Sequence, residues 1–416
     1  MENWKIQLPP DVVWIIHRLQ ENGKEAFAVG GCVRDSILGK KPKDWDITTS
    51  ASPEEVKKIF KKTVDTGILH GTVTVMVGKI GYEVTTYRID GEYEDNRHPK
   101  TVTFTENLVE DLKRRDFTIN AMAYNEEVGL VDVFKGRDDL EKGVIRCVGI
   151  AKERFEEDAL RMLRAVRFSA QLNFEIEEKT KDAIKELASN LSFVSKERIQ
   201  TELTKLLVSD NPEKIEKVFC YGLGEWIFPS YLRWEGELIE KTKGLLREIQ
   251  SDSILRWSAF LLLLRDRLRK QEEAEEILKG LKFDNYTVKF VSKLVGVWDY
   301  GYVAEERSVR RGIAWIGEEI FPLLLKLKRA NCAFERKGME EIDRVLEIYQ
   351  QIYDRGDCLT IKGLAVTGKD LIANGIKPGE VMGKILNQLL NEVLEEPKRN
   401  TKEYLLKRGI ELEKVM

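Results

Sequence analysis

The chain has 416 residues, 42% hydrophobic and 33% charged, with a formal net charge of −3 at pH 7. At roughly 150 residues per domain, that length predicts about three domains. The charge excludes a wholesale basic coat but not a local basic groove, because phosphate binding depends on where Lys and Arg sit. Five scattered cysteines without a CxxC pair support neither a zinc ribbon nor a disulfide framework. Only His17, His70 and His98 are available for a His-rich metal site. No run of about 18 apolar residues occurs, so no transmembrane helix is expected. Met1-Glu2-Asn3-Trp4-Lys5 lacks the basic-then-apolar pattern of a signal peptide. The expected compartment is the cytoplasm, with no membrane partner.

The first third mixes strands and helices. Ala26–Gly30 is an apolar run ending in glycines and predicts a strand, and Val33–Leu38 starts a helix. Asp44–Thr49 reads as a second strand. Ser52-Pro53-Glu54-Glu55 predicts a helix start, with Ser52 as N-cap, Pro53 at the first helical position and Glu55 closing a capping box. Thr72–Val77 and Tyr82–Tyr87 flank Gly78-Lys79-Ile80-Gly81, a hairpin signal. Leu130–Phe134 predicts one more short strand. From Lys152 onward apolar residues recur at helical spacing, as in Leu160, Leu163, Val166 and Phe168. No strand is predicted after about residue 150. Gly222-Leu223-Gly224, Gly356-Asp357 and Pro378-Gly379 punctuate the helical remainder, which shows no repeat of fixed period.

Four constellations carry chemistry. The first is Gly30-Gly31-Cys32-Val33-Arg34-Asp35 followed by Asp44-Trp45-Asp46. Residues two apart on a strand share a face. Asp44 and Asp46 would then present two carboxylates that repel unless a cation sits between them, and hard oxygen ligands suit magnesium. The glycine pair lets backbone approach a ligand, and a helix start favours an anion. A lone Asp-X-Asp or Gly-Gly is common; in this order and spacing they read as a triphosphate and metal site. The second is Glu83, a third carboxylate for two-metal phosphoryl transfer. The third is Arg114-Arg115-Asp116, either a solvated helix start or, read functionally, Arg115 on phosphate and Asp116 on a ribose hydroxyl.

The fourth is Glu157-Asp158-Ala159-Leu160-Arg161, followed by Arg164 and Arg167. On one helix Asp158 and Arg161 are i,i+3 neighbours, as are the three arginines. An Asp accepts from an exocyclic amino group, and an Arg donates to an adjacent bare ring nitrogen. Cytosine and adenine offer that pair, whereas uracil and guanine present the reverse. Such a pair would admit C and A and reject U and G without a template. An intrahelical salt bridge with a basic face is the plainer alternative.

These motifs, with Glu197-Arg198…Glu202-Leu203 behind them, resemble in order the class II tRNA nucleotidyltransferases and bacterial poly(A) polymerases over at least residues 25–210. Gly363–Ile372 also resembles that family's C-terminal region. The resemblance implies an α+β fold: a polymerase-β-like nucleotidyltransferase head (1–145) with a mixed sheet, then an all-helical neck (146–208), body (209–300) and tail (301–416). It implies magnesium on Asp44 and Asp46 with Glu83 as third carboxylate. Gly30, Gly31 and Arg34 would face the triphosphate, Arg115 and Asp116 phosphate and ribose. Asp158 and Arg161 would read the base, with Arg164 and Arg167 nearby. The implied partners are tRNA, CTP and ATP, with no protein partner evident. The implied reaction is metal-assisted attack of an RNA 3′-OH on the NTP α-phosphate, adding C, C and A.

The polar stretch Arg88–Pro99 corresponds to the flexible loop that family members incorporating the terminal A possess and CC-only enzymes lack. The poly(A) branch carries a Gly-Arg-Arg-Phe-like stretch where this chain reads Asp65-Thr66-Gly67-Ile68-Leu69-His70-Gly71-Thr72. An enzyme adding only A is the main alternative; a poly(A) polymerase and a non-catalytic RNA-binding module are less favoured.

Overall fold

The computed structural model describes residues 5–91, 102–232, 234, 236–264 and 268–415. The chain divides into two compact units, Met1–Tyr231 and Leu232–Met416. The first opens with α1 (Pro10–Glu21), β1 (Ala26–Val29), α2 (Gly31–Ile37), β2 (Ile47–Thr49) and α3 (Pro53–Ile59). Next come β3 (Thr63–Gly67), β4 (Thr72–Val77), β5 (Ile80–Thr86), β6 (Arg88–Asp90) and β7 (Val102–Phe104). Then follow α4 (Leu108–Lys113), β8 (Ala123–Asn125), β9 (Gly129–Val131), α5 (Gly136–Lys142) and β10 (Val144–Ile145).

Seven strands form one sheet in the order β3-β4-β5-β2-β1-β8-β9. Only the β2–β5 pair is parallel, so the sheet is mixed as expected. β1 is central, and all four of its residues are buried. The α3 capping box forms as read, with the Ser52 hydroxyl accepting from the Glu55 N–H and the Glu55 carboxylate from the Ser52 N–H. Gly78, at a φ of +63°, opens the β4–β5 turn, so β5 starts at Ile80, two residues before the expected Tyr82. Phe27, Val29, Tyr87, Leu108 and Leu112 pack together beside the sheet.

Several expectations need correction. Asp44 and Asp46 lie before β2 rather than within a strand. The expected Leu130–Phe134 strand is shifted to Gly129–Val131, because Asp132 turns to accept the N–H groups of Gly136 and Arg137 at the start of α5. Arg88–Asp90 is not loop but β6, paired antiparallel with β7. The rest of the predicted flexible loop, from residue 92, lies outside the described residues.

Beyond residue 145 come α6 (Ala151–Glu157), α7 (Leu160–Leu172), β11 (Glu175–Ile176), α8 (Glu178–Leu187) and α9 (Lys196–Leu207). β11 is a strand that periodicity missed: two residues pairing parallel with β10 are too short to leave an alternating pattern. α10 (Glu216–Cys220) and α11 (Gly224–Ile227) complete this unit.

The second unit contains α12 (Leu238–Glu248), α13 (Ser253–Leu261), α14 (Lys270–Gly280), α15 (Asn285–Gly296) and α16 (Glu306–Ile316). It continues with α17 (Phe321–Glu335), α18 (Met339–Arg355), α19 (Gly368–Ala373), α20 (Glu380–Glu395) and α21 (Lys402–Glu413). Gly356, at a φ of +65°, ends α18 where the sequence placed a break. No helix among the described residues is long and apolar enough to cross a membrane.

Candidate active site

β1 ends at Gly30, whose φ of +80° favours glycine. A Cβ there would stand 3.1 Å from Arg115 Nη1 and 3.7 Å from the Asn120 carbonyl oxygen. The absent side chain thus lets Arg115 lie against the turn into α2, which Gly31 opens. Arg34, one turn along α2, is buried. Its Nε and Nη2 hold Asp35 Oδ1 at 2.8 and 2.7 Å, and Nη1 donates to Asn120 Oδ1 at 2.7 Å.

The Val29 N–H donates to the Asp46 carbonyl at 3.0 Å, so pairing with β1 continues one residue beyond β2. Ile47 stands opposite Val84 on β5. One step earlier in that register, Asp46 comes beside Glu83, whose β4 neighbour is Thr74. Asp44, Asp46 and Glu83 are all solvent-accessible. The protein around Asp46 nevertheless strips part of its hydration, and Glu83 and Asp44 add negative charge. Together they raise its carboxyl pKa against the pull of Arg115. Among the described residues no three His, Cys, Asp or Glu side chains close into a metal-holding group.

A stability prediction follows from that shift. The folded state holds the Asp46 proton more tightly than the unfolded chain, so ionised Asp46 destabilises the metal-free fold at neutral pH. That penalty is relieved as pH falls through the raised pKa. Asp46→Asn is therefore expected to raise the Tm of the metal-free protein at pH 7, and the gain to shrink on acidification. A scanning calorimetry series from pH 7 to 4 reads both; an unchanged or lower Tm at pH 7 contradicts the electrostatic account.

Asp111, fully buried on α4, gathers this side of the site. It accepts from Arg114 Nε and Nη2 at 2.9 and 2.8 Å and from Arg115 Nη2 at 3.3 Å. It also accepts from the Thr48 hydroxyl at 3.2 Å and the Arg88 N–H at 3.4 Å. Burial favours its neutral form, but Arg115 and Arg114 outweigh that and hold its pKa below the usual value. Sequence reading missed it, although its i,i+3 and i,i+4 spacing to the arginine pair was a usable signal. Asp111→Ala strands two guanidinium groups and is expected to cost about 3–5 kcal/mol, measured by urea unfolding, with Asp111→Asn losing less. A loss under about 1 kcal/mol, the level of an exposed ion pair, would contradict this role.

Asp116 is buried in the bend after α4 and meets α7 through Arg164. Arg164 holds its Oδ2 through Nε at 2.8 Å and Nη2 at 2.5 Å, while the Phe117 N–H and Asn120 Nδ2 reach Oδ1 at 2.8 and 3.1 Å. Burial opposes ionisation, but Arg164, Asn120 and Arg161 overcome it and hold the pKa well below the ordinary range. Arg167 pairs with Glu202 and lies 3.9 Å from the Phe168 ring centroid. Arg34 and Arg164 approach the same ring at 5.1 and 5.5 Å. The side chains of Arg34, Asn120, Asp116 and Arg164 thus join α2 to α7.

The structure corrects one helix. Asp158 is not in the same helix as Arg161: α6 stops at Glu157, and Asp158 is extended at φ −145° and ψ 101°. Its carboxylate has a use other than continuing the helix. Oδ1 caps the Leu160 N–H at 3.1 Å, and Arg198 of α9 donates to Oδ1 and Oδ2 at 3.2 and 2.8 Å. The intrahelical Asp158–Arg161 bridge does not form. Arg161 instead donates to Glu157 at 2.5 Å and to the carbonyls of Arg154 and Arg114 at 3.1 and 3.0 Å. Arg198 lies 40 residues from Asp158, too far for local spacing to reveal.

A mixed sheet with an acidic pair at the mouth of its central strands, facing an arginine held over a glycine turn, defines the class: a nucleotidyltransferase. Residues 26–146 match the Poly A polymerase head domain family, and 173–234 match the RNA- and SrmB-binding site of polymerase A. Residues 249–408 match tRNA nucleotidyltransferase domain 2. The chain belongs to the family of CCA-adding enzymes. It is 40% identical over 373 residues to the CCA-adding enzyme of Lactobacillus delbrueckii subsp. bulgaricus, covering 89% of each chain. It is 38% identical to that of Enterococcus faecalis, covering 86% of this chain and 85% of the relative. The crystal structure of the Bacillus stearothermophilus CCA-adding enzyme in complex with CTP matches with a TM-score of 0.80 and 31% identity, covering 98% of this chain and all of that one.

Proposed function

We propose that the protein adds C, C and A to the 3′ end of tRNA, drawing on CTP and ATP, with Asp44 and Asp46 holding magnesium. The carboxylate pair carries the reaction: Asp46 is pushed toward protonation by its acidic neighbours, a repulsion that a cation would offset. Magnesium is suited to two carboxylates, with water and phosphates filling its other positions. Once bound, it would lower the pKa of the RNA 3′-hydroxyl and stabilise charge on the leaving oxygen. The hydroxyl forms a bond to the α-phosphorus, the α–β phosphoanhydride bond breaks, and pyrophosphate departs.

The residues of the chain supply position and field. Gly30 and Gly31 leave room for the triphosphate, which Arg115 faces from over the turn, with Arg34 behind it. Asp116 already accepts four hydrogen bonds, from Arg164, Phe117 and Asn120, so it would take a ribose hydroxyl only by releasing one of them, and Arg167 braces the same helix through Glu202. A carboxylate offers about four acceptor positions. At Asp158, Arg198 and the Leu160 N–H take three. The one left suits the amino group of cytosine or adenine, with Arg161 as the donor beside it. The change from sheet to helices near residue 146 supports a head over 1–145; a neck over 146–208, a body over 209–300 and a tail over 301–416 complete the proposed division. A cytoplasmic setting fits a tRNA substrate.

The product, C, C and A rather than A alone, rests on likeness to CCA-adding enzymes across nine-tenths of the chain. The test uses tRNA transcripts ending before the first C, after the second C, or complete, given CTP and ATP singly and together. Extension of the first two substrates and not the third is expected. Extension of the CC-ended transcript alone would overturn the full assignment.

A further inference from the structure

We propose that the second unit carries an RNA-stacking platform on α14, α15 and α16, where an unpaired nucleobase lies on Trp315 while Lys289 and Lys293 hold the flanking phosphates. The proposal rests on the tRNA reading above and goes beyond backbone contact to a base-stacking site.

The sequence builds the platform from helical spacing. On α15, Asn285, Val288, Lys289, Ser292 and Lys293 fall at i, i+3, i+4, i+7 and i+8 and share one face. They line a groove whose opposite wall includes Lys279 of α14 and Ile316 at the end of α16. Lys279 is neutralised by Glu275 at 2.5 Å. Lys289 and Lys293 have no carboxylate partner among the described residues. The groove thus holds one neutralised pair, Lys279 with Glu275, and two lysines whose charge no described carboxylate offsets.

Beside those lysines, large rings face solvent. Trp315 is 62% exposed and Tyr286 61%. Tyr300 stacks on Trp315 at 5.4 Å with 21° between planes, and Phe290 backs Tyr286 at 4.3 Å. The part of the indole left to solvent keeps an apolar face hydrated at a cost. With Lys293 at its rim and Lys289 one turn away on the same helix, it matches the pairing of aromatic stacking and backbone charge that binds unpaired nucleotides. The Lys293 ammonium now lies 5.3 Å from the Trp315 ring centroid. An exposed cation–π contact of that kind is worth about 0.5–1 kcal/mol. A base stacked on an aromatic ring is worth about 1–3 kcal/mol. RNA therefore wins the ring face, and Lys293 turns to the phosphate beside it. An acidic protein segment would satisfy the lysines but leave the ring face without a planar partner.

Binding of the full-length protein to complete tRNA, titrated across KCl concentrations, tests this. The double variant Lys289→Ser/Lys293→Ser is expected to bind more weakly and to flatten the salt slope by roughly 1 per lysine. Trp315→Ala is expected to weaken binding about 10-fold with little change in slope. Trp315→Phe should keep near-normal affinity yet lose part of the tRNA-induced quenching of tryptophan emission. In CTP incorporation these variants should raise KM for tRNA and leave kcat and the CTP KM unchanged. Wild-type affinity in Trp315→Ala, unaltered quenching in Trp315→Phe, or an unaltered salt slope in the lysine variant would each overturn the platform. Failure of the unmodified protein to bind or extend tRNA would instead overturn the tRNA reading.

Discussion

Replacing Asp44 or Asp46 by alanine is expected to abolish incorporation of both C and A, by at least about 1,000-fold in kcat, while tRNA binding survives. Several kcal/mol of transition-state stabilisation flow through a metal site of this kind, and each 1.36 kcal/mol is tenfold in rate. The carboxylates stand near a polyanionic substrate, so their removal should not weaken RNA binding; simple charge arithmetic favours a slight gain. Binding of the metal can be followed without turnover. Magnesium should raise the Tm of the unmodified protein, because a ligand that binds only the folded state stabilises it. It should do so far less in either variant. Near-normal turnover in Asp44→Ala or Asp46→Ala, or an undiminished magnesium-induced rise in Tm, would remove the pair from the metal site. The Asn substitution at Asp46 sharpens the contrast: the residue that raises the Tm of the metal-free protein is the one that ends catalysis, a trade between stability and activity.

The second large effect is expected at Asp158. Alanine there removes the acceptor for the amino group, and one such contact is worth about 1–3 kcal/mol. Discrimination against UTP and GTP should fall by roughly 5- to 150-fold. Arg198 adds a control. It holds both oxygens of Asp158 without being a candidate for touching the base itself. Arg198→Ala should blur base choice less than Asp158→Ala, since the acceptor remains but swings. If Asp158→Ala still rejects UTP and GTP fully with C and A addition intact, Asp158 does not read the base. If Arg198→Ala relaxes choice more than Asp158→Ala does, the roles are reversed.

Much of the first unit was legible because it is encoded locally. Gly30 and Gly31, the Ser52–Glu55 cap and the β4–β5 hairpin each rest on neighbours within a few residues, and each is found, with β5 starting two residues earlier than spacing put it. The misreadings share a physical cause. Asp44 and Asp46 extend the line of β2 but are not strand, since pairing fades where the chain opens to solvent. Arg88–Asp90 reads as polar loop and becomes strand only because Val102–Phe104 returns beside it. At Asp158, i,i+3 spacing suggested one helix, yet a carboxylate able to cap Leu160 and to reach Arg198 gains more from leaving the helix than from continuing it. Partners separated by tens of residues, such as Asp158 with Arg198 and Asp116 with Arg164, leave no periodic trace. Asp111 was the exception: its signal was local and was overlooked.

The three occupied positions on the Asp158 carboxylate bear on fidelity. One vacant acceptor asks one yes-or-no question of an incoming base, whether it carries an amino group or a carbonyl at the edge presented. That is a single bit of information. Together with a donor to the adjacent ring nitrogen, the role proposed for Arg161, it would part cytosine and adenine from uracil and guanine, and it would give cytosine and adenine the same answer. Ordering C before A takes a second bit, and polarity at Asp158 has none left to give. What distinguishes the remaining two is size, a pyrimidine against a purine. On the proposed role of Asp158, the chain would need one polar test and one steric one where a nucleic-acid template would use a separate letter for each position.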